Sequence, residues 1–345
     1  MLTQFNKEDL LIDFIENTSY KQDLQKCYHS KNGLQGEINP YHIEDDCWTH
    51  TMLVFSHAKT YEEAICALWH DTGKPLAREE AETEKGTKVR FFGHEGLSTY
   101  NFLNNCSYMQ TPLLIDIAKA ISLHGHLFDY INDNELFSKF CENEKCFNIV
   151  KGQLDNDNNG RFTTSPKTDM DLNSLTFIHP KARDEVNKRE TPNTITVLCG
   201  LPCSGKSTWV KNLDTTKVTV ISRDNLLLEM YGNDYSVAFK NQDSKLVDET
   251  LNKRFNKAIR NREDVVVDMT NMSIKSRRRW ISTLPSCYYK QCMFFFEKDT
   301  VLEERNKERS KTGKIIPQSV FINMKKSFIF PTIAEGFDAI LYHGL

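Results

Sequence analysis

The 345-residue sequence predicts two domains of different class: an all-α domain over residues 1–185 and an α/β domain with a parallel sheet over residues 190–345. Three observations predict this. The length exceeds that of one typical domain. The first half carries apolar residues at helical spacing, as in Glu62–Trp69 and Thr111–Ile121. The second half alternates short apolar runs with helical segments, and a glycine-bracketed loop follows the first run. Between them Lys181–Asn193, charged and closed by Pro192, reads as a boundary, while Asp155–Arg161 and Thr163–Asn173 read as polar turns.

Composition narrows the class. Hydrophobic residues make up 39% and charged residues 26%, which suits a globular chain with full cores. No apolar run is long enough to cross a bilayer, and the start, Met1–Asp9, is polar, so the expectation is a cytoplasmic protein without a membrane partner. The ten cysteines contain no CxxC pair and read as reduced thiols. A net charge of −3 carries no global nucleic-acid signature, although Lys275–Arg279 and Arg305–Lys311 concentrate positive charge. Taken alone, such runs read as solvated helix faces.

In the helical half the histidines fall in informative places. His50 lies in Asp46-Cys-Trp-Thr-His, His70-Asp71 ends an apolar helix before Thr-Gly73-Lys74-Pro75, His94 sits in Phe-Phe-Gly-His-Glu, and His124 ends Ile117–Leu123. An adjacent His-Asp pair offers one ion an imidazole nitrogen and a carboxylate oxygen, a donor set that Zn²⁺, Mn²⁺, Ni²⁺ and Co²⁺ accept. A bound ion polarises a phosphoryl oxygen, and Lys74, one turn past His70, can steady phosphate charge. His29, His42, His57, His179 and His343 read as ordinary core or surface histidines.

The joint order H…HD…GHE…H…D, over about residues 40–162, resembles the HD phosphohydrolase superfamily, most specifically in Ala67–Pro75. The resemblance implies metal ligands at His50, His70, Asp71 and a distal aspartate, Asp157 or Asp155. Asp157 is preferred because Asp157–Arg161 matches the D-x-x-G-R found in that superfamily. His94 and His124, or His126 in its place, then serve a second ion or the substrate phosphate. Arg161 would grip phosphate in fork geometry.

In the second half, Thr194–Cys199 reads as a strand running into Gly200-Leu-Pro-Cys203-Ser204-Gly205-Lys206-Ser207-Thr208, with a helix starting near Ser207. Glycines at both ends let the backbone turn its N–H groups around phosphate oxygens, and the helix N-terminus adds positive potential. Lys206 can reach the β- and γ-phosphates of ATP or another nucleoside triphosphate, and Ser207 can hold Mg²⁺. Further strands are expected at Val218–Ser222, Asp264–Asp268, Cys292–Glu297 and Ala339–Tyr342. Ligands of such sheets bind at the carboxyl ends of the strands, where Asp224 and Asn271 also fall. Asp224 is placed to act as a general base, and the competing role is an N-cap for Asn225–Met230. Asp268 could orient Mg²⁺, and Thr270 and Asn271 could touch acceptor or phosphate. Arg305 and Arg309, at i and i+4, share a helix face that could close over the triphosphate.

These stretches, with Arg305–Val320 and Asp268–Asn271 followed by Arg277–Trp280, closely resemble phage-type 5′-hydroxyl polynucleotide kinases over about residues 194–343. The resemblance implies that Lys206 and Ser207 act on ATP·Mg²⁺, that Asp224 is the base, and that Arg305 and Arg309 are lid arginines. One position departs: Leu227 stands where that family holds the acceptor phosphate with arginine, which leaves Arg223 or Arg277 for the task. An HD domain ahead of such a kinase resembles the bacterial and phage HD-kinase end-healing enzymes. That implies RNA or DNA ends as substrates, removal of 2′,3′-cyclic, 2′- or 3′-phosphate at one end, 5′-phosphorylation at the other, and a separate ligase downstream.

Overall fold

Helix α1 (Lys7–Asn17) starts where the Asn6 side chain accepts from the Glu8 amide, and α2 (Tyr20–Gln25) follows. Asp46 caps α3 (Cys47–His57) by accepting from Thr49 N, and Thr60 caps α4 (Tyr61–Trp69) by accepting from Glu63 N. Helix α4 buries every residue from Ala64 to Trp69, so it is a core helix with hydrophobic residues on all sides. The short α5 (Lys74–Ala77), with Pro75 in its first turn, leads into an antiparallel hairpin, β1 (Glu79–Thr83) and β2 (Gly86–Arg90). After it come α6 (His94–Cys106), α7 (Thr111–Leu123), a 3₁₀ turn at Leu127–Tyr130, α8 (Asn134–Cys141) and α9 (Glu144–Asn159). Leu68, Phe102, Ile117, Ile121, Val150 and Leu154 are fully buried in the core.

The computed structural model describes residues 6–31, 39–84, 86–164, 172–180, 193–214, 216–232, 234–310 and 315–345. The boundary segment 181–192, positions 165–171 of the second polar turn, and positions 311–314 of the lid run lie outside these. The chain divides into two compact units. The first is Met1–Pro180 together with Lys325–Phe330, and the second is Lys181–Met324 with Pro331–Leu345. Within the first, the Phe328 ring lies edge-on to Tyr100 at 5.1 Å, and Phe330 N donates to Ser122 Oγ at 2.8 Å.

The hairpin corrects the all-α expectation. Glu79 opposes Arg90 and Glu82 opposes Thr87, and β1 is largely exposed while Thr87, Val89 and Arg90 of β2 are half-buried, so no apolar alternation marks the pair in the sequence.

The second unit runs β3 (Asn193–Cys199), α10 (Lys206–Lys211), β4 (Val218–Ser222), α11 (Arg223–Tyr231), α12 (Tyr235–Asn241), α13 (Ser244–Arg260), β5 (Asp264–Asp268), α14 (Ile274–Ile281), β6 (Tyr288–Phe295), α15 (Asp299–Ser310), α16 (Gln318–Lys326) and β7 (Ala339–His343). The five strands form one parallel sheet in the order β4-β5-β3-β6-β7. Central β3 buries Ile195–Cys199, as a strand covered on both faces must. Strand β6 begins at Tyr288, earlier than the apolar pattern suggests, because Tyr288–Gln291 pair with Asn193–Thr196 before the apolar run starts. Ser222 sits opposite Asp268 in register, so the carboxyl ends of β4 and β5 finish level, with Gly200 following the neighbouring β3.

Candidate active sites

The loop after β3 has the backbone that its glycines require. Gly200 has φ 149°, and a Cβ there would meet Phe295 O at 2.5 Å; Gly205, with φ 102°, starts α10. Lys206 is buried, with Nζ donating to Gly200 O at 2.8 Å and Leu201 O at 2.6 Å. Burial pulls its ammonium down to about 8, against the opposing pull of Asp268. Ser207 Oγ donates to Asp268 Oδ2 at 3.4 Å, which sets hydroxyl and carboxylate together as a Mg²⁺ would need them.

This loop opens on a cavity of about 930 Å³ whose walls include Ser204, Thr208, Asp224, Tyr235, Arg305 and Arg309. Arg305 donates to Cys203 O at 2.9 Å and pairs with Glu297 at 3.0 Å, and Arg309 Nη1 lies 3.2 Å from Cys203 Sγ. Both arginines of α15 therefore reach the phosphate loop. Ser222, not Asp224, caps α11, since its Oγ accepts from Asn225 N. That leaves the Asp224 carboxylate facing the cavity, where Tyr235 Oη donates to it at 3.0 Å.

Two residues expected to contact the acceptor do not reach it. Arg277 is fully buried, donating to both Glu335 oxygens at 2.7 and 2.8 Å and to the carbonyls of Asn271 and Met272. Asn271 is buried with φ 42°, its side chain donating to Leu198 O at 2.8 Å, so it ties two strand ends together. Thr270 and Arg223 do line the cavity. Arg223 is held by Asp248 at 2.7 Å and Gln242 at 2.8 Å, and Leu227 is buried. Tyr235 and His343 line the cavity as well, although neither stands in a recognisable motif.

In the first unit, His50, His70 and Asp157 form one group of potential ligands and Asp71, His94 and His124 another. His70 Nδ1 lies 2.8 Å from Ala67 O, His94 Nδ1 2.9 Å from Phe91 O, and His124 Nδ1 2.7 Å from Ile121 O. A ring that donates Nδ1–H to the carbonyl three residues back turns its Nε2 toward the cluster. The Nε2 atoms of His94 and His124 lie 3.2 Å apart. Around the buried Asp71 carboxylate, His70 Nε2 lies 3.2 Å and Lys74 Nζ 2.7 Å from Oδ2, and His94 Nε2 lies 3.3 Å from Oδ1. Converging acceptors of this kind fit a cation between them.

His50 Nε2 lies 3.0 Å from Asp157 Oδ1. Burial alone would lower the His50 ring, but the Asp157 and Glu44 carboxylates outweigh it and raise it to about 9. Burial would raise Asp157, but the His50 ring holds it well below the usual carboxylate range. His126 packs edge-on against Tyr130 and Phe140, and Asp155 accepts from Asn159, so His124 and Asp157 are the members of each alternative that lie in the cluster. Lys74 Nζ sits 2.7 Å from Asp71 Oδ2. With Arg161, which donates to Asn158, it lines a cavity of about 360 Å³ over the cluster.

Glu44 carries no sequence signal. Its buried carboxylate lies 2.7 Å from His42 Nδ1 and 3.1 Å from His50 Nδ1, and it accepts from Phe162 N at 3.1 Å. It holds the back of the His50 ring so that Nε2 faces Asp157. His29, His42 and Glu44 also lie close enough to suggest an ion, but the two rings stack in parallel at 4.1 Å and Lys74 Nζ is 3.1 Å from His29 Nε2. Stacked rings cannot aim in-plane lone pairs at one point, and an ammonium already occupies that side.

The second unit is a P-loop kinase-like domain on a parallel sheet, and the first unit is largely helical. A protein-family model described as an AAA domain matches residues 195–331. The chain is homologous to the bifunctional polynucleotide phosphatase/kinase of Schizosaccharomyces pombe, 26% identical over 156 residues, which are 44% of this chain and 34% of that protein. It therefore spans about a third of that relative's length. Among solved structures it is similar to a chain of the Pnkp1/Rnl/Hen1 RNA repair complex, at 24% identity and a TM-score of 0.33, over 41% of this chain and 45% of that one. It is also similar to a chain of the PezAT toxin–antitoxin system of Streptococcus pneumoniae, at 13% identity and a TM-score of 0.28, over 38% and 61%. Among the described residues no helix is long and apolar enough to cross a membrane.

Proposed function

We propose that this chain heals nucleic-acid ends with two activities: an ATP-dependent 5′-hydroxyl polynucleotide kinase over residues 190–345 and an HD-type metal-dependent phosphohydrolase over residues 1–185. The observation that carries the kinase reading is one cavity holding the phosphate loop, Asp224, Arg305 and Arg309 together. Backbone amides of Cys203–Thr208 cradle the phosphates. Lys206 swings its ammonium from the loop carbonyls to the β/γ-oxygens. Asp224, oriented by Tyr235, accepts the proton of the attacking hydroxyl as the hydroxyl oxygen bonds to the γ-phosphorus and the bond from that phosphorus to the β,γ-bridging oxygen breaks, releasing ADP. Arg305 and Arg309 neutralise the charge that spreads over the transferring group. Ser207 and Asp268 are the residues that would hold Mg²⁺ or its waters.

In the hydrolase, His50, His70, Asp71 and Asp157 would hold a transition metal such as Mn²⁺, Co²⁺, Ni²⁺ or Zn²⁺, which supplies Lewis acidity for phosphoester hydrolysis. His94 and His124 face a second ion or the substrate phosphate. Lys74 and Arg161 bind its oxygens, and Glu44 fixes the His50 ring. The substrates are 2′,3′-cyclic, 2′- or 3′-phosphate ends, and the products suit a separate ligase.

The test is an RNA with 5′-OH and 2′,3′-cyclic-phosphate ends. Lys206→Ala should abolish only 5′-phosphorylation, and Asp71→Ala only removal of the phosphate at the 3′ end. Phosphorylation of free nucleosides but not oligonucleotides would replace this reading with that of an HD nucleotidase joined to a small-molecule kinase.

A further inference from the structure

Helix α12 carries one aromatic ring in the wall of the kinase cavity and a second one turn further along. Tyr235 begins the helix, lines the cavity and donates to the Asp224 carboxylate at 3.0 Å. Phe239, one turn on, stacks on it with ring centroids 6.1 Å apart and planes 20° from parallel. Phe239 is 57% exposed, and Val237 on the same helix is 47% exposed.

The helix is also latched to the catalytic segment at both ends. Tyr235 holds Asp224 at the start. Gln242, just past the end, accepts from Arg223 at 2.8 Å and donates to Phe239 O at 2.9 Å. The two rings are thereby registered to the Arg223–Asp224 pair and not only to the hydrophobic core. Lys240 follows Phe239, and Arg223 at the foot of the helix, paired with Asp248 at 2.7 Å, lines the cavity. Asp234 caps α12 by accepting from the Ser236 and Val237 amides, and Asp243 caps α13 by accepting from the Lys245 and Leu246 amides.

Resting on the kinase reading above, we infer that Tyr235 and Phe239 form a stacking platform for the unpaired bases at the 5′ end of the acceptor strand. Tyr235 lies beside the terminal nucleotide and Phe239 one nucleotide further in. Every base has a π-face, so such a platform takes single strands with little regard to sequence. It also provides an acceptor contact that does not depend on the arginine missing at Leu227.

The experiment measures kinase kinetics on a nucleoside 3′-monophosphate, a dinucleotide and a 12-mer single strand, for wild type, Phe239→Ala, Phe239→Leu and Phe239→Trp. With one base lost from the stack, Phe239→Ala should raise KM for the dinucleotide and the 12-mer by about 5- to 100-fold. KM for ATP and for the monophosphate should stay within about twofold. Phe239→Trp should keep wild-type KM, and Phe239→Leu, which retains bulk but no π-face, should behave like Phe239→Ala. Equal effects on all three acceptors, or rescue by leucine, would overturn the platform. So would unchanged oligonucleotide kinetics with a shift in sedimentation, which would make Phe239 a protein contact. A wild type that phosphorylates none of the three would instead overturn the kinase reading, before any variant is compared.

Discussion

Replacing Arg277 by methionine should unfold the second unit at a much lower temperature while leaving acceptor binding intact. The guanidinium is 0% exposed and its partner Glu335 is 5% exposed. Two bonds, at 2.7 and 2.8 Å, join them, and the Asn271 and Met272 carbonyls take further donors. Removing the arginine leaves a carboxylate buried without its counter-charge, a defect that costs about 3–5 kcal/mol. For a unit of this size each kcal/mol moves the melting temperature by about 2–4 °C, so a fall of roughly 6–20 °C follows. Circular dichroism reads the melt, and kinase assays at low temperature read KM for an oligonucleotide. Arg277→Met combined with Glu335→Leu should recover much of the loss, because a hydrophobic pair of similar volume can replace a buried ion pair. An unchanged melt with a raised acceptor KM would refute the structural role and return Arg277 to the substrate.

Three further outcomes follow. Lys206 is held near 8, below its ordinary 10.5, so the free protein loses that proton as pH rises through 8, while bound triphosphate favours the ammonium. ATP binding at pH 9 should therefore take up close to one proton, and affinity should fall by up to about tenfold per pH unit above 8; calorimetry in two buffers of different ionisation enthalpy that finds no uptake would contradict this. Glu44→Gln should weaken Co²⁺ binding by about 10- to 100-fold, read from the visible spectrum of the ion, because the His50 ring loses its anionic brace; unchanged affinity would disconnect Glu44 from the site. His124→Ala should lower metal content measured by plasma emission, whereas His126→Ala should not, since His126 packs on Tyr130 and Phe140.

What the sequence reveals divides along physical lines. The parallel strands are legible because both their faces are buried, which leaves near-continuous apolar runs such as Ile195–Cys199. The phosphate loop is legible because its chemistry is local, with donors, glycines and helix start within nine residues. Arg277 is not legible, because its run of basic residues looks like a wet surface and Glu335 lies 58 positions away. The hairpin Glu79–Arg90 is hidden by its charge. Glu44 and Tyr235 are hidden for a different reason: each is an ordinary residue whose role comes only from the group it meets, His50 for one and Asp224 for the other.

His70 and His124 close α4 and α7, and His94 opens α6, each ring tied to a carbonyl three positions earlier in its own chain. Aim is thus inherited from where three helices stop or start, not negotiated across the core. On the proposed metal-dependent reading, a chelator-treated protein keeps these three rings in place, so adding the ion should give occupancy at the pace of solution encounter, with no slow structural phase.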